Sequence, residues 1–206
     1  MFSQALAICK KDFNSEIRTR YAVNALLMFI IVVISVIKFS LGEDKLSAEM
    51  NSGLLWIIIF FATSNGLSRV FVSEEERGTS LVLKLSSDAK AVFLGKLIFN
   101  TILTILINFF IIFLYIIITG LDIRDLGLFS LTIGLGTLGL SAVMTIIAAL
   151  ISKASSKGTL YPVLSFPLLL PLLLASISAT TLSIEGAPFG AIAGEIQMTV
   201  SYTIVV

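Results

Sequence analysis

The residue of this sequence best placed to do chemistry is Glu195, a carboxylate inside the apolar stretch 187–206. A charge at mid-membrane depth costs about 2.5–3.5 kcal/mol on insertion scales. Such an acid is a functional group of the membrane interior, a side chain turned into a helix bundle, or a residue closer to the outer interface than the apolar run suggests. Asp122 and Asp125 form an Asp-x-x-Asp pair of the kind that binds a divalent ion in prenyl transfer. They flank Arg124 in a short polar stretch, which favours a loop or helix-cap role. A phosphate-cradling loop needs glycine at a fixed distance before Gly-Lys-Ser/Thr. Here Gly95-Lys96 is followed by Leu97, and Lys90 stands at the glycine position. Gly134-Leu135-Gly136 is followed by Thr137, not by the aspartate of an intramembrane protease. With no histidine and only Cys9, a histidine base, an intrachain disulfide and a Cys/His metal site are all excluded. No catalytic or metal-binding residues are expected, and the chain is not expected to be an enzyme.

The elements that must position these groups follow from composition. The 206 residues are 57% hydrophobic and 13% charged, with mean hydropathy +1.04, whereas a soluble domain carries about 25% charged residues. The fold class is therefore all-α: a polytopic helical membrane protein forming one domain over 1–206. Six spans are predicted, at about 21–41, 53–72, 91–119, 126–151, 159–182 and 187–206. The first carries Lys38 near one end, where a long side chain reaches the headgroups. No secretory leader is evident. Of the 14 basic residues, eleven fall before or at the start of span one, in the loop or at the span boundaries between spans two and three, or after span four, and only Lys38, Lys45 and Arg124 fall on the other side. Basic residues concentrate on the cytoplasmic side, so both termini are predicted cytoplasmic.

Three local patterns add detail. Phe2, Leu6, Cys9, Phe13 and Ile17 recur at helical spacing and predict an N-terminal amphipathic helix lying in the membrane interface. The cytoplasmic segment 73–90 opens with Ser73 and Glu76 at capping-box spacing. Glu74, Glu75 and Glu76 favour a helix N-terminus, Arg77 and Gly78-Thr79 follow, and Leu81 and Leu85 form the apolar side of a second short helix. Inside the membrane, Gly134, Gly136 and Gly139 allow close helix approach, as do Ser141 and Ala142. Pro162, Pro167 and Pro171 each remove a backbone donor and predict a kinked helix packed against protein, with a hinge as the functional reading.

These pieces together resemble the CcmB family, the haem exporter B membrane proteins of bacterial cytochrome c maturation. The resemblance is carried by Leu55-Trp56-Ile57, Arg69-Val70-Phe71, Glu74 to Thr79 with Gly95-Lys96, Gly134-x-Gly136-Thr137-Leu138-Gly139, and Phe166-Pro167 to Pro171-Leu172. The Glu-rich Arg-Gly-Thr loop alone resembles the wider class of six-span ABC-2-type exporter permeases. The family implies an ABC transporter permease in the bacterial inner membrane, with haem as substrate and ATP used by a separate CcmA-type ATPase. It also implies CcmC- and CcmD-type membrane partners and the CcmE haem chaperone, and no nucleic acid. By the same analogy Glu74, Glu75, Arg77, Leu81 and Leu85 belong to a coupling helix that docks on the ATPase. Two departures stand out: Gly78-Thr79-Ser80-Leu81-Val82 lacks the acidic residue that often follows in relatives, and without histidine there is no evident axial haem ligand. The alternatives are a non-transporting scaffold of the same complex and an ion-coupled carrier built around Glu195.

Overall fold

The computed structural model describes residues 2–18, 20–42, 46–67, 88–151 and 157–205. Every regular element among them is an α-helix: α1 (Phe2–Arg18), α2 (Arg20–Leu41), α3 (Ala48–Leu67), α4 (Ala89–Thr119), α5 (Leu126–Ile151), α6 (Lys157–Glu185) and α7 (Phe189–Val205). Five of them, α2 to α6, are long and apolar enough to cross a bilayer. α7 has 17 residues, about 25 Å at the helical rise. Helices lie over the six apolar stretches read from the sequence, α3 beginning at Ala48, five positions ahead of the predicted start. Ser47 explains the early start, because its hydroxyl accepts from the Met50 backbone N–H at 3.2 Å and caps the helix. The segment 68–87, with most of the predicted coupling loop, lies outside the described residues.

Helix ends follow local chemistry. Asp88 caps α4 from an extended backbone, its carboxylate accepting from the Lys90 N–H, and Gly120 ends the helix at φ 70° with its N–H on the Ile116 carbonyl. α6 runs from Lys157 to Glu185 through all three prolines. Pro167 lies on its exposed side and Pro171 is half-buried, while Tyr161, Ser165, Leu169 and Leu172 form the buried side. The Tyr202 hydroxyl of α7 donates to the Leu168 carbonyl, which ties α7 to α6 beside Pro167; the carbonyls that Pro167 and Pro171 leave without a helical donor are those of Val163 and Pro167.

α5 sits at the centre of the bundle and packs on α6, α4, α7 and α3, with α3 wedged between α6 and α4. α2 lies outside against α3 and α4, with Ile30 and Ile34 alone fully buried among its described side chains while Met28, Val32, Val36 and Phe39 face outward. Phe109, Phe113 and Ile117 of α4 are likewise exposed. This outward apolar belt suits lipid, the inverse of a soluble surface.

The amphipathic helix α1 rests mainly on α4. Its docking face is Ala5 and Ile8, both buried, while Phe2, Leu6 and Phe13 of the predicted stripe are 64%, 48% and 40% exposed. The small residue determines this phase. A Cβ added at Gly95 would stand 2.7 Å from the Ala5 carbonyl oxygen, so the backbones meet where neither helix offers bulk, and the large apolar side chains turn away from the bundle.

Candidate functional site

α4 and α5 are antiparallel neighbours joined by residues 120–125. Along their contact an apolar environment is interrupted by a seam of amides and hydroxyls. Asn100 Nδ2 donates to Thr145 Oγ1 at 2.8 Å, Thr101 and Ser141 share a hydroxyl pair at 3.0 Å, and Asn108 Nδ2 donates to Thr137 Oγ1 at 2.8 Å. Numbers rise on α4 as they fall on α5, as antiparallel helices require. The hydroxyls also donate within their own helices, Thr137 to the Ile133 carbonyl at 2.6 Å and Thr145 to the Ser141 carbonyl at 2.6 Å, so these two hydroxyls both donate locally and accept across the contact. The carbonyl oxygens of Asn100 and Asn108 are buried and accept no hydrogen bond.

At the Asn108 end of this contact lies an open groove of about 860 Å³. Ile105, Leu131, Gly134, Leu135 and Leu138 line it, with Asn108 and Thr137 at its floor and Asp125 at its mouth. Asp125 is committed to structure: its carboxylate accepts from the Leu128 N–H at 2.9 Å and caps α5. The 120–125 connection is further tied to the end of α6 by Arg124, whose guanidinium donates to the Glu185 carbonyl at 3.1 Å. Among the described residues no three acidic or cysteine side chains converge as a metal site. An apolar groove with a neutral polar floor is suited to holding an apolar or amphipathic body.

The three span-four glycines occupy different surroundings. At Gly136 an added Cβ would collide with the Trp56 ring and stand 2.9 Å from Ser176 Oγ. Trp56, the sole tryptophan, is fully buried and donates from Nε1 to Thr180 Oγ1 at 2.9 Å. Gly136 is thus the point where α3, α5 and α6 meet. At Gly139 a Cβ would stand 2.6 Å from Thr203 Oγ1 and 2.9 Å from Leu172, so this glycine admits α6 and α7. Gly134 has nothing within 4 Å of its Cβ position and opens on the groove instead; its phase on α5 points it away from α3 and α6.

Glu195 lies half-buried on α7, and its carboxylate accepts from Ser178 Oγ of α6 at 3.0 Å. It does not join the seam or the groove. Pro162, Pro167 and Pro171 all fall within α6. Glu74, Glu75, Glu76, Arg77, Gly78, Thr79, Leu81 and Leu85 lie outside the described residues. Sequence reasoning missed Asn100, Thr104 and Asn108, whose signal was present as polar residues at four-residue steps in an otherwise apolar span.

The helices, their apolar exterior and their buried polar contacts define an integral, multi-pass α-helical membrane protein. Its sequence matches the family model described as CcmB protein over residues 3–206, and the chain belongs to the CcmB family. It is 28% identical to Heme exporter protein B of Pseudomonas aeruginosa over 164 residues, 79% of this chain and 74% of that protein. It is 26% identical to Heme exporter protein B of Rhodobacter capsulatus over 201 residues, covering 95% of this chain and 92% of the relative. The protein of the same name from Bradyrhizobium diazoefficiens is 26% identical over 200 residues, 90% of this chain and 85% of the relative. No solved structure matches the chain significantly.

Proposed function

We propose that this chain is the permease subunit of an ABC exporter that handles haem during cytochrome c maturation. The observation that carries the reading is the family match over residues 3–206, joined by relatives named Heme exporter protein B that align along most of their length. In this reading the chain sits in the bacterial inner membrane with six spans, α7 being the sixth, and both termini cytoplasmic. A separate CcmA-type ATPase supplies the energy and docks on the coupling segment 73–90, with Leu81 and Leu85 in a groove of the ATPase and Glu74, Glu75 and Arg77 at the polar rim. CcmC- and CcmD-type membrane proteins and the CcmE chaperone complete the assembly. The prolines of α6 and the glycines of α5 let the bundle take two packings. The groove between α4 and α5, apolar and free of ionisable groups except at its mouth, is compatible with a large apolar substrate.

The test is isolation from native membranes in mild detergent, with every stoichiometric companion identified by mass spectrometry. A cytoplasmic ATPase and a haem-handling membrane protein are expected, and Leu81→Asp should lower ATPase recovery at least tenfold. Recovery of the chain alone in high yield overturns the reading and favours an independent carrier, with Glu195→Gln as the next variant.

A further inference from the structure

Lys96 is the charged residue of the described chain that burial isolates most: its side chain is 1% exposed, on the third turn of α4. An ammonium group is held there only if an anion accompanies it. The anion comes from another helix, 84 positions away: Lys96 Nζ stands 3.4 Å from Asp12 Oδ2 of α1. Asp12 is itself only 11% exposed, and its second oxygen meets Lys11 Nζ at 3.2 Å. One carboxylate therefore joins a buried cation of α4 to a surface cation of α1. The neighbouring position reinforces the geometry, because Gly95 brings the Ala5 backbone too close for any side chain to intervene. An apolar contact alone tolerates sliding and rotation, whereas an ion pair in low dielectric has one good arrangement and a large penalty for leaving it.

We propose that Asp12 and Lys96 form a latch that makes α1 and the first turns of α4 a single moving body. Lys96 lies eight residues beyond the Asp88 cap, about 12 Å along the axis, and the segment 68–87 leads directly into that cap. A displacement of the Asp88 cap is thereby delivered to the interfacial helix as well as to the α4–α5 seam; this consequence rests on the permease reading, while the latch itself does not. Both side chains are positioning residues that touch no substrate.

The experiment is hydrogen exchange of the complex in lipid nanodiscs, read by mass spectrometry for Lys96→Met, Lys96→Arg and the exchanged pair Asp12→Lys with Lys96→Asp. Lys96→Met should speed exchange of the α1 amides at least tenfold and leave those of α5 unchanged, and Lys96→Arg and the exchanged pair should restore protection. Unchanged α1 protection in Lys96→Met overturns the latch in favour of apolar docking, and acceleration spread equally over α3 and α5 overturns it in favour of a general folding role. In the same samples ATP should alter α1 and the start of α4 together in the wild type. The complex carrying Lys96→Met should hydrolyse ATP through its ATPase subunit while exporting at least tenfold less. If no nucleotide effect is found in any sample while the local effect of Lys96→Met persists, the permease reading fails and the latch stands.

Discussion

A missing methyl group decides how closely three helices meet at Gly136. Trp56 fills the space that any β-carbon there would need, and its indole N–H is fixed on Thr180, so it has no free direction in which to yield. Gly136→Ala should therefore overpack the junction and cost about 1–3 kcal/mol. Gly134→Ala, facing the open groove, should stay within about 0.5 kcal/mol. Denaturant unfolding in detergent, followed by the fluorescence of the single tryptophan, measures both, and the reverse ranking would remove Gly136 from the junction. In the sequence the two glycines are equivalent members of one motif. Their difference arises from the rotational phase of α5 against Trp56, which is fixed by packing between distant segments and leaves no local signal. The same cause hid the docking face of α1: hydropathy marks Phe2, Leu6 and Phe13, but closeness of approach selects Ala5, Ile8 and Asp12.

At the scale of elements, the seam between α4 and α5 is held by three polar contacts whose individual worth in a membrane averages about 0.6 kcal/mol. Asn108→Leu removes one such bond, yet it also removes a buried carbonyl that accepts nothing, and Thr137 keeps its bond to Ile133. The two effects oppose each other, so the unfolding free energy should change by less than about 1 kcal/mol. If the seam is where the helices shift during export, the same variant should lose most haem-export activity in a reconstituted complex. Normal export with normal stability would reduce the seam to ordinary packing. Helix existence was readable here because uninterrupted apolar runs of this length have one structural solution in lipid. The pairing of α4 with α5 was not, since hydropathy treats Asn100 and Asn108 as blemishes and says nothing of the partner across the contact. The prolines of α6 lie within one helix from Lys157 to Glu185, as the single apolar run through them indicates, whereas the contact of α7 with this stretch, through Tyr202 and the Leu168 carbonyl, has no signal in the sequence.

For the whole molecule, the arrangement in the membrane turns on α7. Its 17 residues reach about 25 Å, short of the roughly 30 Å hydrocarbon core, and Glu195 lies along it. Two observations nevertheless favour a crossing: α7 packs on both α5 and α6, and its Glu195 is directed to Ser178 rather than left to lipid. Membrane-impermeant maleimide separates the alternatives. In intact cells Cys9 should be protected and become reactive only after the membrane is opened. Even then it should react slowly near neutral pH, because burial, with the Asp12 charge behind it, pushes the thiol above its ordinary value; the thiolate fraction, and with it the rate, should rise as pH increases. In a Cys9→Ser background, Asp122→Cys should label from outside and Ile204→Cys only after opening. Labelling of Ile204→Cys in intact cells means that α7 enters and returns on the outer side. The bundle would then have five crossings, its two ends would lie on opposite faces, and Glu195 would sit in a re-entrant segment open to the outside rather than in a span.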